Sequence, residues 1–416
     1  MFRFDIDWVR SQFPALAMKV NGYPAAFFDG PGGTQVPWQV IDTMRGYLAA
    51  SNANTHGAFA TSLRTDAVIS AAHTAMANLL GCDAEEIVFG PNMTTLTFAL
   101  SRALGRDLGP GDEIVVTRLD HDANVSPWTA LEERGCTIRF VDIHPADCTL
   151  DMEDLRRKVT PRTRVVAVGY ASNSVGTIND VEEVVRLAHA AGAMAYIDAV
   201  HYAPHGPIDV RSLDCDFLVC SPYKFFGPHS GALYGKREHL LRLRPYKVRP
   251  ATESLPGRWE TGTQNHEGMA GVTAAVAYLA ELGRRHTPEA QGQRTALLAA
   301  YHAIRAYERR LLEQLVPALL EIPGLTFYGI TEPARFHQRV PTVAVRIAGR
   351  SPRELAAYLG ERGIFTWDGN YYALNLSERL GVEPDGGMLR IGLVHYNTAE
   401  EVDRLLETLR ELAPRA

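Results

Sequence analysis

Asp198 and Lys224 carry the clearest chemistry in the chain. Both lie in the stretch from Tyr196 to Lys236, YIDAVHYAPHGPIDVRSLDCDFLVCSPYKFFGPHSGALYGK. Asp198 ends one predicted strand, and Lys224 follows the end of the next, in a turn punctuated by Pro222 and Gly227. The two side chains should therefore project into one crevice. A lysine amine forms an imine with an aldehyde and can afterwards move a proton. A carboxylate beside a pyridine nitrogen favours its protonated form, which is the stronger electron sink. Pyridoxal 5′-phosphate (PLP) chemistry needs this pair. Taken alone, the pair is equally compatible with a surface lysine.

Other polar groups fall at further strand ends. Ser221 and Tyr223 flank the lysine and could donate hydrogen bonds to a phosphate. Asn92, Met93 and Thr94, within Pro91–Thr95, open a helix running to Leu104, whose free N–H groups make an anion site. Simple capping by Thr94 or Thr95 is the plain alternative. His121, in Asp120–Val125, could lie flat on a cofactor ring or merely be solvated. Asn173, in Ser172–Thr177, could reach a ring hydroxyl.

The elements that must hold these groups follow from the hydrophobic pattern. Short β-branched runs at 86–89, 113–116, 138–141, 165–168, 195–198 and 217–220 alternate with helical patterns such as Val181 to Ala190. This predicts an α/β fold with a doubly wound, mainly parallel sheet and a ligand crevice at the strands' carboxyl ends. The last third reads as a smaller α+β domain. A long helical segment from Gly268 to Leu315 is interrupted at Pro288 and Gly292. Strands follow near Thr326–Tyr328, at Val340–Ile347 and at Met388–Leu393, with helices at Ser351–Arg362 and Thr398–Leu412. The expected division is an N-terminal segment (1–20) packing with the small domain, a large PLP-binding domain (21–267), and a connecting helix with the small C-terminal domain (268–416).

Composition agrees with an enzyme. The 416 residues are 46% hydrophobic and 22% charged, with a net charge of −6 and no block of like charges, which disfavours nucleic-acid and anionic-membrane partners. The acidic N-terminus and the absence of a bilayer-length apolar run lead us to expect a cytoplasmic protein. Cys82, Cys136, Cys148, Cys215 and Cys220 have neither disulfide-framework nor metal spacing and read as reduced thiols. Gly30–Gly33 and Gly227–Gly235 fit no nucleotide-binding motif and read as turns or close backbone approaches to a ligand. His201 and His205 have a zinc-compatible helical spacing, but Pro204 and Gly206 break that helix, so no metal is expected.

In this order and spacing the segments resemble the class V aminotransferase/cysteine desulfurase-like family of PLP enzymes. Phe28–Gln35 resembles the family's Asp-x-Ala-Ala segment, and Asn52–His56 its Asn-x-His substrate loop. Trp259–Asn265 resembles its Glu-x-Gly-Thr segment, and Leu389–Gly392 the strand carrying a carboxylate-binding arginine. The resemblance covers nearly the whole chain. It implies fold type I of the PLP-dependent transferases, with a large domain of seven-stranded type, and a homodimer with shared active sites. It also implies Lys224 as the Schiff-base lysine, Asp198 as the ring-nitrogen partner and His121 as the stacking group. Asn173 and His201 would face the ring hydroxyl. Asn92, Met93, Thr94, Ser221, Tyr223 and Thr263 of a second subunit would serve the phosphate. Gly32, His56, Tyr372 and Arg390 would border a small amino-acid substrate, with Arg390 clamping its carboxylate.

Three departures stand out. His201 replaces a common glutamine, and Tyr223 a histidine. The segment Thr366–Ala373, where desulfurases carry a nucleophilic cysteine, contains none, and Tyr372 stands at about that position. A persulfide requires a thiolate. The expected activity is therefore β-elimination of a sulfur-type leaving group, a C–S lyase. Transamination and epimerisation are the alternatives within the same chemistry, and a non-catalytic PLP-fold binding protein is the alternative outside it. Trp367, Tyr371 and Tyr372 read either as core aromatics or as a pocket lid, with turn character at Trp367–Gly369.

Overall fold

The computed structural model describes residues 4–414. After a short N-terminal helix, Ile6–Gln12, helices α1 (Trp38–Ala50) and α2 (Ala60–Leu80) precede the central sheet. Its strands are β1 (Ile87–Gly90), β2 (Glu113–Thr117), β3 (Thr137–Val141), β4 (Thr163–Gly169), β5 (Met194–Asp198), β6 (Phe217–Cys220) and β7 (Gly231–Gly235). Helices α3 (Met93–Leu104) and α4 (Val181–Ala190) lie among them in sequence. The seven strands run in the order β1-β7-β6-β5-β4-β2-β3. The pairs from β6 through β3 are parallel, and β7 lies antiparallel to both β6 and β1.

The six strands expected from β-branched runs are present. β7 corrects the sequence reading, which took Gly227–Gly235 as turn. GALYG has little β-propensity, but its backbone is held between two partners and its residues are buried. At Gly231 the close neighbour is the chain's own backbone, since a Cβ there would lie 2.4 Å from the Asn92 carbonyl carbon.

Alternate strand residues feed two cores. Val166, Val168, Ala195, Ile197 and Leu218 belong to one face, and Val165, Ala167, Tyr196, Phe217 and Val219 to the other. Helix α4 shows how the flanking layers form. Val181, Val184, Val185 and Ala188 make one buried stripe, and the Asp180 carboxylate accepts the Glu183 N–H to cap it.

Helices α5 (His266–His286) and α6 (Gln293–Leu320) divide near Pro288 and Gly292 and lead to the second sheet. That sheet contains β8 (Leu325–Tyr328), β9 (Thr342–Ile347), β10 (Trp367–Gly369) and β11 (Met388–Gly392), all antiparallel, in the order β8-β9-β11-β10. Helices α7 (Pro352–Glu361) and α8 (Ala399–Glu411) pack with α6 over it through a core that includes Leu315, Val345, Leu355, Ile391 and Leu405. β10 is a second correction: Trp367–Gly369 pairs with β11 rather than forming a turn. Among the described residues no helix is long and apolar enough to cross a membrane.

Candidate active site

A cavity of about 540 Å³ opens where the carboxyl ends of the central strands face the second sheet. Of the residues singled out from sequence, Gly32, Met93, Thr94, His121, Asn173, Asp198, His201, Tyr223, Lys224, Tyr372 and Arg390 line it.

Lys224 ends a short 3₁₀ turn begun at Pro222, and its Nζ donates to the Pro31 carbonyl. Burial, and after it the nearby Arg390 cation, push its amine down to about 7, against the pull of Asp198 and Asp29. A lysine so placed is a nucleophilic amine near neutral pH. Asp198 closes β5 and accepts the Val200 N–H at 2.9 Å through Oδ1. Burial lifts its carboxyl to about 6, with Lys224 opposing.

His121 sits beyond β2, where its Nδ1 accepts the Ala123 N–H at 3.0 Å. Burial, then the Lys224 and Arg390 charges, hold the imidazole down to about 4, so the ring is neutral. Arg390, on β11, donates from one terminal nitrogen to the Asn173 carbonyl at 2.9 Å and lies 4.2 Å from the Tyr371 ring centre. Asn173 in turn donates to the Tyr371 carbonyl at 2.9 Å.

Asn92 differs from expectation. Its Oδ1 caps α3 by accepting the Thr95 N–H at 2.8 Å, so its side chain serves the helix and does not line the cavity. Capping by Asn92 also replaces the alternative of capping by Thr94, and it is Thr94 that reaches the cavity. Ser221 is fully buried beside the cavity wall, with an unpartnered Oγ. His56 and Thr263 lie away from the cavity within this one chain; His56 is 89% exposed, with Asp66 at 3.6 Å.

Sequence reasoning passed over several lining groups. Asp120 directly precedes His121; burial lifts its carboxyl to about 7, and the Gly169 N–H and Asn124 hold it. Buried Asp29 faces Arg390 and Lys224 and is lifted to about 6. Glu383 also lines the cavity, as do Trp367 and Tyr371, which the sequence offered as core aromatics or a pocket lid. The adjacency of Asp120 to His121 was a usable signal. Nothing in the sequence marked Glu383, which arrives by way of a short helix, Leu374–Arg379, that the hydrophobic pattern did not announce.

The chain matches the family model for class V aminotransferases over residues 26–405. The chain belongs to that family. Among its relatives, a cysteine desulfurase of Pectobacterium atrosepticum is 33% identical, with 98% of each chain covered. One of Dickeya dadantii is 32% identical, covering 98% of this chain and 97% of that one. Two solved structures share the fold at similar scale. The apo cysteine desulfurase of Thermococcus onnurineus NA1 gives a TM-score of 0.87 at 26% identity, with 99% of both chains covered. The cysteine desulfurase CsdA of Escherichia coli gives 0.84 at 28% identity, covering 99% of this chain and 100% of that one.

Family membership makes this a PLP-dependent enzyme of fold type I. The residues present suit the cofactor. The cavity offers a depressed lysine amine, a buried carboxylate, a neutral imidazole and a helix start. Ser221 Oγ, Asn173 Oδ1 and Arg390 Nε are buried polar atoms that await a partner.

Proposed function

We propose that this class V enzyme eliminates a sulfur-linked group from the β-carbon of a small amino acid and carries no persulfide of its own. One observation supports this above the rest: no thiol lines the cavity. All five cysteines are free and lie elsewhere, and the segment facing His121 presents Tyr372, its ring 5.4 Å away. Burial pushes the Cys82, Cys148, Cys215 and Cys220 thiols up, away from the reactive thiolate. The relatives named as cysteine desulfurases support a substrate with a carbon–sulfur bond.

In this reading Lys224 Nζ holds the cofactor and, once displaced by substrate, takes the proton from Cα. PLP, when bound, supplies the aldehyde that captures the substrate amine and the ring that takes up the electron pair left at Cα. Asp198 would keep the ring nitrogen protonated, and neutral His121 would sit by the ring without repelling that charge. Met93, Thr94, Ser221 and Tyr223 would serve the phosphate, and Asn173 and His201 the ring hydroxyl. Arg390 clamps the carboxylate, and Gly32 and Tyr372 border the substrate. The Cα–H pair becomes the Cα–Cβ double bond, and the Cβ–S pair leaves with sulfur, which takes a proton. The released enamine hydrolyses to pyruvate and ammonium.

The test is product identification with cysteine and S-alkylcysteines, before and after thiol blocking with iodoacetamide. Pyruvate and ammonium, undiminished by blocking, are expected. Alanine with a protein persulfide would overturn the proposal, as would a new amino acid formed only with added 2-oxo acid.

A second copy of the chain is the proposed partner. Trp38, Leu48, Phe59 and Leu63 leave a large apolar surface on and between α1 and α2, close to the loop carrying His56. Docking there would account for His56 and Thr263 lying outside their own cavity. Sedimentation equilibrium should give twice the monomer mass; a monomer that turns over at full rate would refute it.

A further inference from the structure

The cavity has an inner part lined by Lys224 and Arg390 together with Asp120 and Asp198, and the two cations take the cofactor and the α-carboxylate in the reading above. Its outer end is lined by Trp367, Asp368, Asn370, Tyr372 and Glu383, and is left to whatever extends beyond the substrate's β-carbon. Glu383 accepts from Asn370 Nδ2 at 2.9 Å and from the Ser377 hydroxyl. Both donors are neutral, and among the described residues no cation pairs with this carboxylate. Asp368 has Arg353 at 3.2 Å, but that arginine is 83% exposed and its charge is screened by water. The aromatic faces of Trp367 and Tyr372 lie half or more exposed at the same end. Such faces attract cations, and a negative rim repels a carboxylate.

We propose that the outer end selects β-thioether amino acids whose sulfur carries an extended, ammonium-bearing group, over neutral and acidic analogues of equal length. This rests on the lyase reading and names its substrate class. Elimination from such a substrate breaks the Cβ–S bond, and the electron pair leaves with the sulfur of an aminothiol, which takes one proton. Glu383 acts as a specificity residue, holding the departing group's ammonium while Arg390 holds the carboxylate.

The experiment compares S-(2-aminoethyl)cysteine, S-propylcysteine and S-(carboxymethyl)cysteine on the holoenzyme. Affinity is read by calorimetry and by the cofactor's absorbance change, and pyruvate is measured separately. Aminoethyl should bind about twofold to fivefold more tightly than propyl, the range of one partly exposed charge pair, with carboxymethyl weakest. Glu383→Gln, which keeps the side-chain shape and one oxygen to accept from Asn370, should bring the aminoethyl-to-propyl ratio close to one; Asp368→Asn should lower it less. Raising salt should shrink the wild-type ratio. Equal affinities, a preference for carboxymethyl, or a ratio untouched in a Glu383→Gln protein of native melting temperature would each overturn the inference. Selective binding without pyruvate would overturn only the lyase reading, and pyruvate formed equally from all three only the selectivity.

Discussion

The floor and the outer wall of the cavity are built by opposite means. The floor is made of strand ends from a parallel sheet buried on both faces, and its groups are shifted by desolvation. Lys224 falls to about 7, His121 to about 4, and Asp198 rises to about 6. The outer wall comes from the second sheet, and its shape depends on backbone. Tyr371 and Tyr372 are consecutive non-glycine residues in the left-handed region, at φ 55° and 60°. They are held there by the Tyr371 hydroxyl on the Met388 carbonyl, by Asn370 on the Tyr372 N–H, and by the Asp122 N–H on the Tyr372 carbonyl. Burial tunes reactivity on one side; a constrained loop shapes fit on the other. Substitutions on the floor should therefore change rate, and those on the wall should change binding.

The sharpest break would come from Lys224→Ala. Turnover should fall by at least ~10³-fold, within the range for losing a positioned proton-transfer group, and borohydride should no longer tie the cofactor to the peptide containing residue 224. Turnover near wild type would remove the distinction altogether. Arg390→Lys tests the point where the two sides meet. Loss of the planar fork should raise KM by about tenfold to a hundredfold, matching one or two charged hydrogen bonds, with a smaller change in kcat. A fall confined to kcat would move Arg390 from binding into the chemistry.

The floor also predicts a pH signature. Only neutral lysine captures an aldehyde, and Lys224 is protonated below its depressed value. PLP uptake by apoprotein should rise about tenfold per pH unit below pH 7 and level off above it. A rate still climbing at pH 9 would mean an ordinary lysine. The smallest effect is expected from Tyr371→Leu. Removing the ring beside Arg390 should raise KM by about threefold, the size of an ordinary cation–π contact. The carboxylate clamp would then be less well oriented, while kcat stays close to its original value.

This division also explains what could be read in advance. Strand ends announce themselves through β-branched runs, so Asp198, Lys224, His121 and Asn173 were found together with the sheet that carries them. The wall has no such period. Trp367–Gly369 looked like a turn because its glycine and aspartate disfavour strand, yet pairing with Met388–Arg390 overrides that preference. Glu383 lies far from any recognisable motif and joins the cavity only through tertiary folding. Asn92 stands where the sequence put it, and its side chain also caps the helix it opens, since a helix start can use its first polar side chain for itself.

The position of β7 sets the timing of assembly. β1 is the first strand of the central sheet to be synthesised, yet it reaches that sheet only through β7, with Ala232 beside Phe89 and Gly231 against the backbone of Asn92. A nascent chain that stops short of Gly231 has no strand for β1 to pair with, although Thr97 of α3 can already reach the Tyr196 hydroxyl. The wall bearing Met93 and Thr94 is thus tied to the sheet by its backbone only after Lys224 has emerged, which makes completion of the cavity a late event in biogenesis.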